Sequence, residues 1–262
     1  MSRGGNGLCA VAVMAKAPRA GKVKTRMCPP LLPEEAMAMS AAFLRDITGN
    51  LRLAAEAAPL HGFVAYAPLG LESLFDGLLA EGTRLVLADG TGEMPPGVQG
   101  FGRCLLHAAR ALFAQGYSAV CLLNADSPTL PTAHLRRAAE LLLLPRAEGR
   151  AVLGAAEDGG YYLLGMTAPH PTLFERVSWS TERVAEETRE RVAELGLELA
   201  ELPPWYDVDD RAALQRLVAE TAPGRPVGLT APPFAAPATT ACLREIALAE
   251  RLRPAVPVPA VA

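Results

Sequence analysis

The sequence predicts a three-layer α/β fold. Segments with strand character alternate with helical segments through residues 1–221, and the first strand segment, residues 8–14, is almost wholly apolar. Strands that alternate with helices form right-handed crossovers, which place helices on both faces of a sheet. A continuously apolar strand is typical of a sheet that is covered on both faces.

The elements follow in order from local signals. The predicted strands are short apolar runs and span residues 8–14, 62–66, 84–88, 119–123, 151–155, 161–166 and 197–202. The first helix begins at Pro33, a residue favoured at the first helical position, and extends to about residue 53. The other helices are predicted at residues 71–79, from a Gly/Pro-rich loop to residue 115, and at 132–144, 181–195 and 210–220. Ser180 is the expected N-cap of the helix at 181–195.

Composition indicates one globular domain with an appendage. Residues 1–221 are the predicted domain, and residues 222–262 are a Pro/Ala-rich extension with one short helix near residues 240–252. The net charge is −3, so we expect no general basic surface for nucleic acid. No apolar stretch is long enough to span a membrane. The 5 cysteines include no CxxC pair, which favours a reduced, cytoplasmic protein.

The segment after the first predicted strand, MAKAPRAGKVKTR, is strongly cationic and contains no acidic residue. Its cations are Lys16, Arg19, Lys22, Lys24 and Arg26. These three lysines are the only lysines of the chain, which elsewhere uses arginine as its cation. Compact ammonium groups suit point-charge contact with phosphate oxygens. We therefore interpret residues 14–26, the cationic loop, as an anion site.

The cationic loop is not a Walker A phosphate loop. That motif requires a glycine five residues before its Gly-Lys pair and a Ser or Thr directly after it. Lys16 and Val23 stand at those positions. The sequence therefore predicts a different kind of phosphate-binding loop.

Three further loops at predicted strand ends carry acids. Asp126 follows the strand at 119–123, Asp158 precedes Gly159 and Gly160, and Asp207, Asp209 and Asp210 precede the last helix of the domain. Each loop taken alone also has a structural interpretation, as a turn, a hairpin or a helix cap. Ligands in open α/β sheets collect outside the carboxyl ends of the strands. Separated carboxylates and a cationic loop at that edge are what Mg²⁺-assisted chemistry on a nucleoside phosphate requires.

Five blocks carry a resemblance to a known family: KAPRAGKVKTRM, DSPTLP, EDGGYYLLGM, WST and WYDVDD. In order and spacing they are similar to the DUF2064 family, glycosyltransferase-like proteins of the nucleotide-diphospho-sugar transferase (GT-A) superfamily, over about residues 8–217. The cationic loop also resembles that of phospholactate guanylyltransferases, and the DSP block resembles the metal-binding block of molybdenum-cofactor guanylyltransferases. The resemblance implies a GT-A Rossmann-like fold with a mainly parallel mixed sheet.

The resemblance also implies roles for individual residues. Asp126 and Asp209 would bind Mg²⁺ or Mn²⁺, as the matching Asp does in sugar-acid cytidylyltransferases, and Lys24, Arg26 and Asp126 would be catalytic. The expected nucleotide-binding residues are Ala15, Lys16, Gly21, Lys22, Thr25, Gln99 and Asn124. The expected acceptor-binding residues are Asp158, Gly159, Gly160, Tyr161, Trp179 and Ser180.

Two positions depart from the family pattern. Asn124 stands where family members usually carry glycine, two places before the Asp of the second block. Cys104 stands where they tend to carry arginine, next to Arg103. These departures place the substrate and the activity in question.

Three functions are compatible with these residues. The first is transfer of a nucleotidyl group from an NTP to a small phosphorylated or acidic acceptor, with release of pyrophosphate. The second is glycosyl transfer from a nucleotide-diphospho-sugar, although an Asp-x-Asp is more usual there than the Asn124-Ala125-Asp126 of this chain. The third is a catalytically inactive nucleotide-binding protein. A nucleotide and a small-molecule acceptor are the expected partners.

Overall fold

The computed structural model describes residues 7–145, 147–222, 231–248 and 252. Within them, seven strands form one sheet in the order β3-β2-β1-β4-β6-β5-β7. The strands are β1 (Cys9–Lys16), β2 (Leu60–Ala67), β3 (Arg84–Leu87), β4 (Ala119–Leu123), β5 (Arg150–Ala156), β6 (Tyr161–Met166) and β7 (Glu198–Trp205). The α-helices are α1 (Pro33–Ala55), α2 (Phe101–Ala114), α3 (Thr132–Leu143), α4 (Val184–Glu194), α5 (Arg211–Thr221) and α6 (Pro237–Glu245).

The sheet is mixed and mainly parallel, as predicted. β1 pairs in parallel with β2 and β4, and β2 pairs in parallel with β3. β6 is antiparallel to both β4 and β5, while β5 pairs in parallel with β7. The carboxyl ends of β1, β4, β5 and β7 therefore lie at one edge of the sheet, and all four loops selected from the sequence start there.

Helices cover both faces of the sheet and create two cores. Alternate residues of β1 face opposite sides, so that Val11 belongs to the core under α1 and α3, whereas Ala10 and Ala12 belong to the core under α2 and α4. These β1 residues are fully buried. Burial on both faces explains why β1 shows no alternation of apolar and polar residues.

Three elements differ from the sequence prediction. The segment at 71–79 forms only a short 3-10 helix, Glu72–Phe75. β7 continues through Pro203 and Pro204, which are tolerated because β7 is an edge strand with no neighbour on one side. Ser180 does not cap α4: the cap position is Arg183, and Ser180 has a left-handed backbone with φ 66°.

The C-terminal helix begins earlier than predicted, at Pro237, and ends at Glu245. Part of the predicted 240–252 segment, residues 249–251, lies outside the described residues. α6 packs on α1, where the buried Asp46 carboxylate accepts hydrogen bonds from the backbone N–H groups of Ala238 (2.9 Å) and Thr239 (2.6 Å). A side chain of the domain thus caps a helix of the extension. Burial raises the pKa of Asp46, although the hydrogen bonds from Thr239 and Ala238 oppose that shift.

Replacing Asp46 tests this attachment. Asp46→Ala leaves two N–H groups without their acceptor, so we expect a loss of about 1–3 kcal/mol of unfolding free energy and faster hydrogen exchange in α6. Denaturant unfolding and exchange mass spectrometry measure the two effects. Asp76→Ala, at an exposed position, is the control. Unchanged exchange in α6 of Asp46→Ala would show that the cap does not hold the helix.

Candidate active site at the carboxyl edge of the sheet

A cleft of about 370 Å³ opens at the carboxyl edge of the sheet. It runs beside the end of β1 and the start of α2. The described residues that line it are Met14, Ala15, Lys16, Lys22, Val23, Lys24, Thr25, Arg26, Ser40, Leu44, Ala65, Ala67, Ala88, Phe101, Cys104, Ala125, Asp126 and Asp209. Eight of these were selected from the sequence: Ala15, Lys16, Lys22, Lys24, Thr25, Arg26, Asp126 and Asp209.

The cationic loop is shaped by its buried apolar residues. Gly21, with φ 68°, lies in a turn closed by a hydrogen bond from Lys22 N to Arg19 O at 3.0 Å. Val23 and Met27 are buried and attach the loop to the domain. Lys24 lies between them in a left-handed conformation, with φ 50°, which non-glycine residues adopt only at a cost. The loop therefore holds the Lys24 side chain inward.

The Lys24 ammonium is surrounded by acceptors. Its Nζ atom donates to the carbonyl oxygen of Val208 at 2.8 Å, lies 3.2 Å from Asp209 Oδ1 and forms an ion pair with Asp126 Oδ1. The same atom lies 5.2 Å from the ring centroid of Phe43 on α1. The side chain is only 7% exposed. Three acceptors match the three donors of an ammonium group, so in this arrangement Lys24 contacts protein oxygens and keeps no donor for a phosphate.

The loop after β7 brings Asp209 to Asp126. β7 lies at the edge of the sheet, and β6 and β5 separate it from β4. The loop returns across the ends of these strands, where Val208 N donates to Asp126 O at 2.8 Å and Ser127 Oγ donates to Tyr206 O at 2.9 Å. These bonds place the two carboxylates beside the same ammonium group.

Exposed cations surround this buried group. Lys16 and Lys22 are exposed, and the Arg26 side chain is 74% exposed, with NH1 3.4 Å from Asp209 Oδ2. Exposed cations of this kind are free to approach an anion in the cleft. The cleft therefore combines buried ion pairs of Lys24 with an exposed cationic rim.

The three acids after β7 have different environments. The Asp210 carboxylate caps α5 by accepting a hydrogen bond from Ala213 N at 2.8 Å. Burial raises the pKa of Asp207 to about 6, and repulsion from Asp158, Asp209 and Asp126 adds to the shift. Burial also raises the pKa of Asp126, although Lys24 opposes the shift. Only Asp209 of these three lines the cleft with Asp126 among the described residues.

The opposite wall of the cleft is apolar and was not found from the sequence. It consists of Ala65 and Ala67 on β2, Ala88 after β3, and Phe101 and Cys104 on α2. For Ala65, Ala67 and Ala88 the available signal was their position at the carboxyl ends of β2 and β3. Small apolar side chains at strand ends are otherwise indistinguishable in sequence from core residues.

Arg103 does not replace the arginine expected at position 104. Its guanidinium donates to the carbonyl oxygens of Gly90 (3.1 Å) and Gly92 (3.3 Å), so it fastens the loop after β3. Cys104 lines the cleft, and burial raises the pKa of its thiol. At the other departure, the side-chain oxygen Oδ1 of Asn124 accepts a hydrogen bond from Asp126 N at 3.4 Å, so the side chain turns towards the backbone of the second block.

The remaining sequence-predicted residues do not line the cleft, as far as the described residues show: Gly21, Gln99, Asn124, Asp158, Gly159, Gly160, Tyr161, Trp179 and Ser180. Gln99 and Ser180 are exposed, and the Tyr161 hydroxyl is buried without a hydrogen-bond partner. The Trp179 ring packs edge-on against the lining residue Phe101, with centroids 5.9 Å apart.

The turn between β5 and β6 is held by backbone packing. Asp158 Oδ1 accepts a hydrogen bond from Gly160 N at 2.9 Å, and Gly159 O accepts one from Ala185 N at 2.9 Å. Gly159 has φ 90°, and a Cβ atom there would lie 2.1 Å from Glu182 O. The turn thus requires glycine at 159 for its own geometry.

The residues fit a divalent cation completed by other ligands. One ammonium group touches an oxygen of both Asp126 and Asp209, so both carboxylates can reach a single cation. Among the described residues, no three His, Cys, Asp or Glu side chains gather into a metal-binding group. Mg²⁺ commonly takes one or two carboxylates plus phosphate oxygens and water, which matches this incomplete set.

The fold and the cleft define an α/β protein with a mixed, mainly parallel sheet and a charged cleft at the carboxyl edge of that sheet. The chain belongs to the DUF2064 family, described as an uncharacterized protein conserved in bacteria, whose family model matches residues 50–181. No curated protein is significantly similar to it in sequence. None of the helices among the described residues is both long and apolar enough to cross a bilayer.

Two solved structures share the fold. A proposed nucleotide-diphospho-sugar transferase from Desulfovibrio desulfuricans G20 is 26% identical, with a TM-score of 0.74, over 94% of this chain and 98% of that one. A cytidylyltransferase from Leptospira borgpetersenii serovar Hardjo-bovis is 10% identical, with a TM-score of 0.51, over 95% of this chain and 98% of that one. The second likeness is one of fold alone.

Adjacent glycines in the β5–β6 turn should respond differently to alanine. Gly159→Ala meets both a left-handed backbone and a clash with Glu182 O, so we expect a loss of about 2–4 kcal/mol. Gly160→Ala is the control, because its nearest neighbour is the movable Asp158 carboxylate at 3.1 Å; a loss below about 1 kcal/mol is expected there. Equal losses in denaturant unfolding would exclude the backbone explanation.

The Glu187 carboxylate holds the segment before Trp179, and its contribution should depend on pH. It accepts hydrogen bonds from Ser178 N (2.6 Å) and Ser178 Oγ (3.1 Å), and the backbone bond is the main reason that its pKa is lowered. We expect Glu187→Gln to lose about 1–3 kcal/mol at neutral pH.

A lowered folded-state pKa stabilises the protein above the unfolded pKa of about 4.3, and this contribution disappears as pH falls through the folded value. The difference between wild type and Glu187→Gln in denaturant unfolding should therefore shrink at acidic pH. Glu186→Gln, on the exposed face of α4, should stay close to wild type throughout. A difference that does not change with pH would contradict a role for the carboxylate charge.

Proposed function

We propose that the protein is a Mg²⁺-dependent nucleotidyltransferase, which transfers an NMP group from an NTP to a small phosphorylated or acidic acceptor. The observation that carries the proposal is the convergence of the cationic loop with Asp126 and Asp209 around one cleft. Exposed cations beside a pair of carboxylates suit a polyphosphate that is accompanied by a metal ion.

The comparisons support the broader class. The D. desulfuricans protein of the same fold, a proposed nucleotide-diphospho-sugar transferase, supports a transferase that uses a nucleotide. Folds of this kind serve more than one reaction, so the choice among reactions depends on the site. A dense cationic rim favours nucleotidyl transfer, because pyrophosphate is the leaving group that accumulates charge there.

In this proposal the exposed Lys16, Lys22 and Arg26 contact the phosphate oxygens. Lys24 fixes Asp126 and Asp209 in position, whereas the interpretation of the whole cationic loop as an anion site would have Lys24 contact the phosphates. Mg²⁺ or Mn²⁺, held by Asp126 and Asp209, would neutralise phosphate charge. The apolar wall with Phe101 accommodates the uncharged part of the nucleotide and limits water in the cleft.

The chemical step needs no protein nucleophile. An oxygen of the acceptor attacks the α-phosphorus and forms a new phosphorus–oxygen bond, while the bond from the α-phosphorus to the bridging oxygen breaks. The electron pair of the broken bond leaves with pyrophosphate, whose charge the cationic rim stabilises.

Glycosyl transfer from a nucleotide-diphospho-sugar is the second candidate, favoured by the designation of the D. desulfuricans protein. A panel of NTPs with phosphorylated acceptors and Mg²⁺, assayed for pyrophosphate, separates the candidates. We expect pyrophosphate only when NTP, acceptor and metal are all present. Turnover only with a sugar nucleotide, releasing a nucleoside diphosphate, would favour the second candidate. Nucleotide binding without any turnover would indicate an inactive binding protein.

A matched pair of cationic-loop variants tests the role of the rim. Lys22→Met removes an exposed cation of the cleft, so we expect kcat/KM for NTP turnover to fall by roughly 10²-fold. Arg19→Met removes an exposed cation of the same loop that is not among the described lining residues, and should retain most activity. Equal losses in both variants would indicate a general charge effect.

A further inference from the structure

The Lys24 ammonium lies where a cation shared by Asp126 and Asp209 would bind. Each carboxylate directs its Oδ1 atom to Lys24 Nζ, and the Val208 carbonyl completes the set. Asp209 Oδ2 faces Arg26 NH1 at 3.4 Å. Both carboxylates are thus engaged by cations of the protein itself.

The formal charges of this group cancel. Asp126 and Asp209 contribute two negative charges, and Lys24 and Arg26 contribute two positive ones. A free divalent cation would meet little net attraction, and the 7% exposed Lys24 ammonium would repel it with little screening by salt. The Arg26 side chain is 74% exposed, so its contribution is screened more strongly.

Lys24 is held at this place by its surroundings. The flanking residues Val23 and Met27 are buried, and the Lys24 backbone has the left-handed φ of 50°. The Phe43 ring lies under the ammonium at 5.2 Å. A long exposed lysine would leave the carboxylates easily, whereas this one keeps its position among packed neighbours.

We propose that Lys24 is an internal counter-ion which prevents the Asp126–Asp209 pair from binding free divalent cations until a nucleotide enters. The inference rests on the proposed function. A nucleoside triphosphate brings several negative charges to Lys16 and Lys22, so the net charge around the two carboxylates becomes negative. Its phosphate oxygens also supply metal ligands in addition to the two carboxylates. Metal and nucleotide therefore bind as one complex, and the metal does not bind first.

Titration of the nucleotide-free protein with Mn²⁺, followed by electron paramagnetic resonance or calorimetry, tests this inference. We expect wild type to bind Mn²⁺ only weakly. Lys24→Met removes the competing charge at similar side-chain length and should tighten Mn²⁺ binding at least about tenfold, or 1.4 kcal/mol. Lys24→Arg keeps the charge and should resemble wild type.

Two further variants test whether the Mn²⁺ bound by Lys24→Met lies at the Asp126–Asp209 pair. Arg19→Met removes an exposed cation of the same loop that is not among the described lining residues, and should leave Mn²⁺ binding unchanged. Adding Asp209→Asn to Lys24→Met should abolish the gain. If Lys24→Met does not fold, as judged by circular dichroism, Lys24→Gln replaces it with the same expected gain.

Tight Mn²⁺ binding to nucleotide-free wild type, or no gain in the folded Lys24 variants, overturns the inference. Neither result bears on NTP turnover, which is measured separately. Failure of the proposed function would instead appear as an absence of nucleotide turnover, and would leave the Mn²⁺ titrations unaffected.

Discussion

A buried ammonium group held between two aspartates from separate loops is the interaction on which the site depends. A charge removed from water must be compensated by partners, and Lys24 finds three acceptors at Asp126, Asp209 and Val208. This requirement fixes the cationic loop, the loop after β4 and the loop after β7 relative to one another. Because all three loops meet at one atom, their positions around the cleft depend on one another.

The mixed topology of the sheet makes that meeting possible. With the antiparallel β6 between β4 and β5, β7 lies three places from β4, and its following loop must return along the sheet edge. Backbone hydrogen bonds from Glu157 to Trp205 and from Val208 to Asp126 secure its path. The three acids that follow β7 therefore lie in three different environments. The Asp209 carboxylate lies in the cleft, Asp210 caps α5, and Asp207 is half-buried with a raised pKa.

The cleft joins a charged rim to an apolar wall, a combination suited to a ligand with a phosphate end and a flat organic end. The family and the fold alone do not choose a reaction, because related folds serve several. The exposed cations of the cleft support the proposal of nucleotidyl transfer. Lys16 and Lys22 are exposed, and Arg26 is exposed although it pairs with Asp209, whereas the Lys24 ammonium is buried among protein oxygens. Of the two departures, Cys104 lines the cleft and Asn124 turns towards the backbone of Asp126, and neither forms an ion pair with Lys24.

The sequence by itself determined the order of strands and helices and the loops that carry charge, because apolar period and residue type are local properties. It also identified Lys24, Asp126 and Asp209 as members of one site through the rule that strand ends converge. The tertiary structure decided that Lys24 binds the aspartates and not the open cleft, since a three-acceptor pocket exists only after β7 returns to β4. It also decided which apolar residues line the cleft, and that Arg183 rather than Ser180 is at the cap position of α4. Both outcomes depend on neighbours that are distant in sequence.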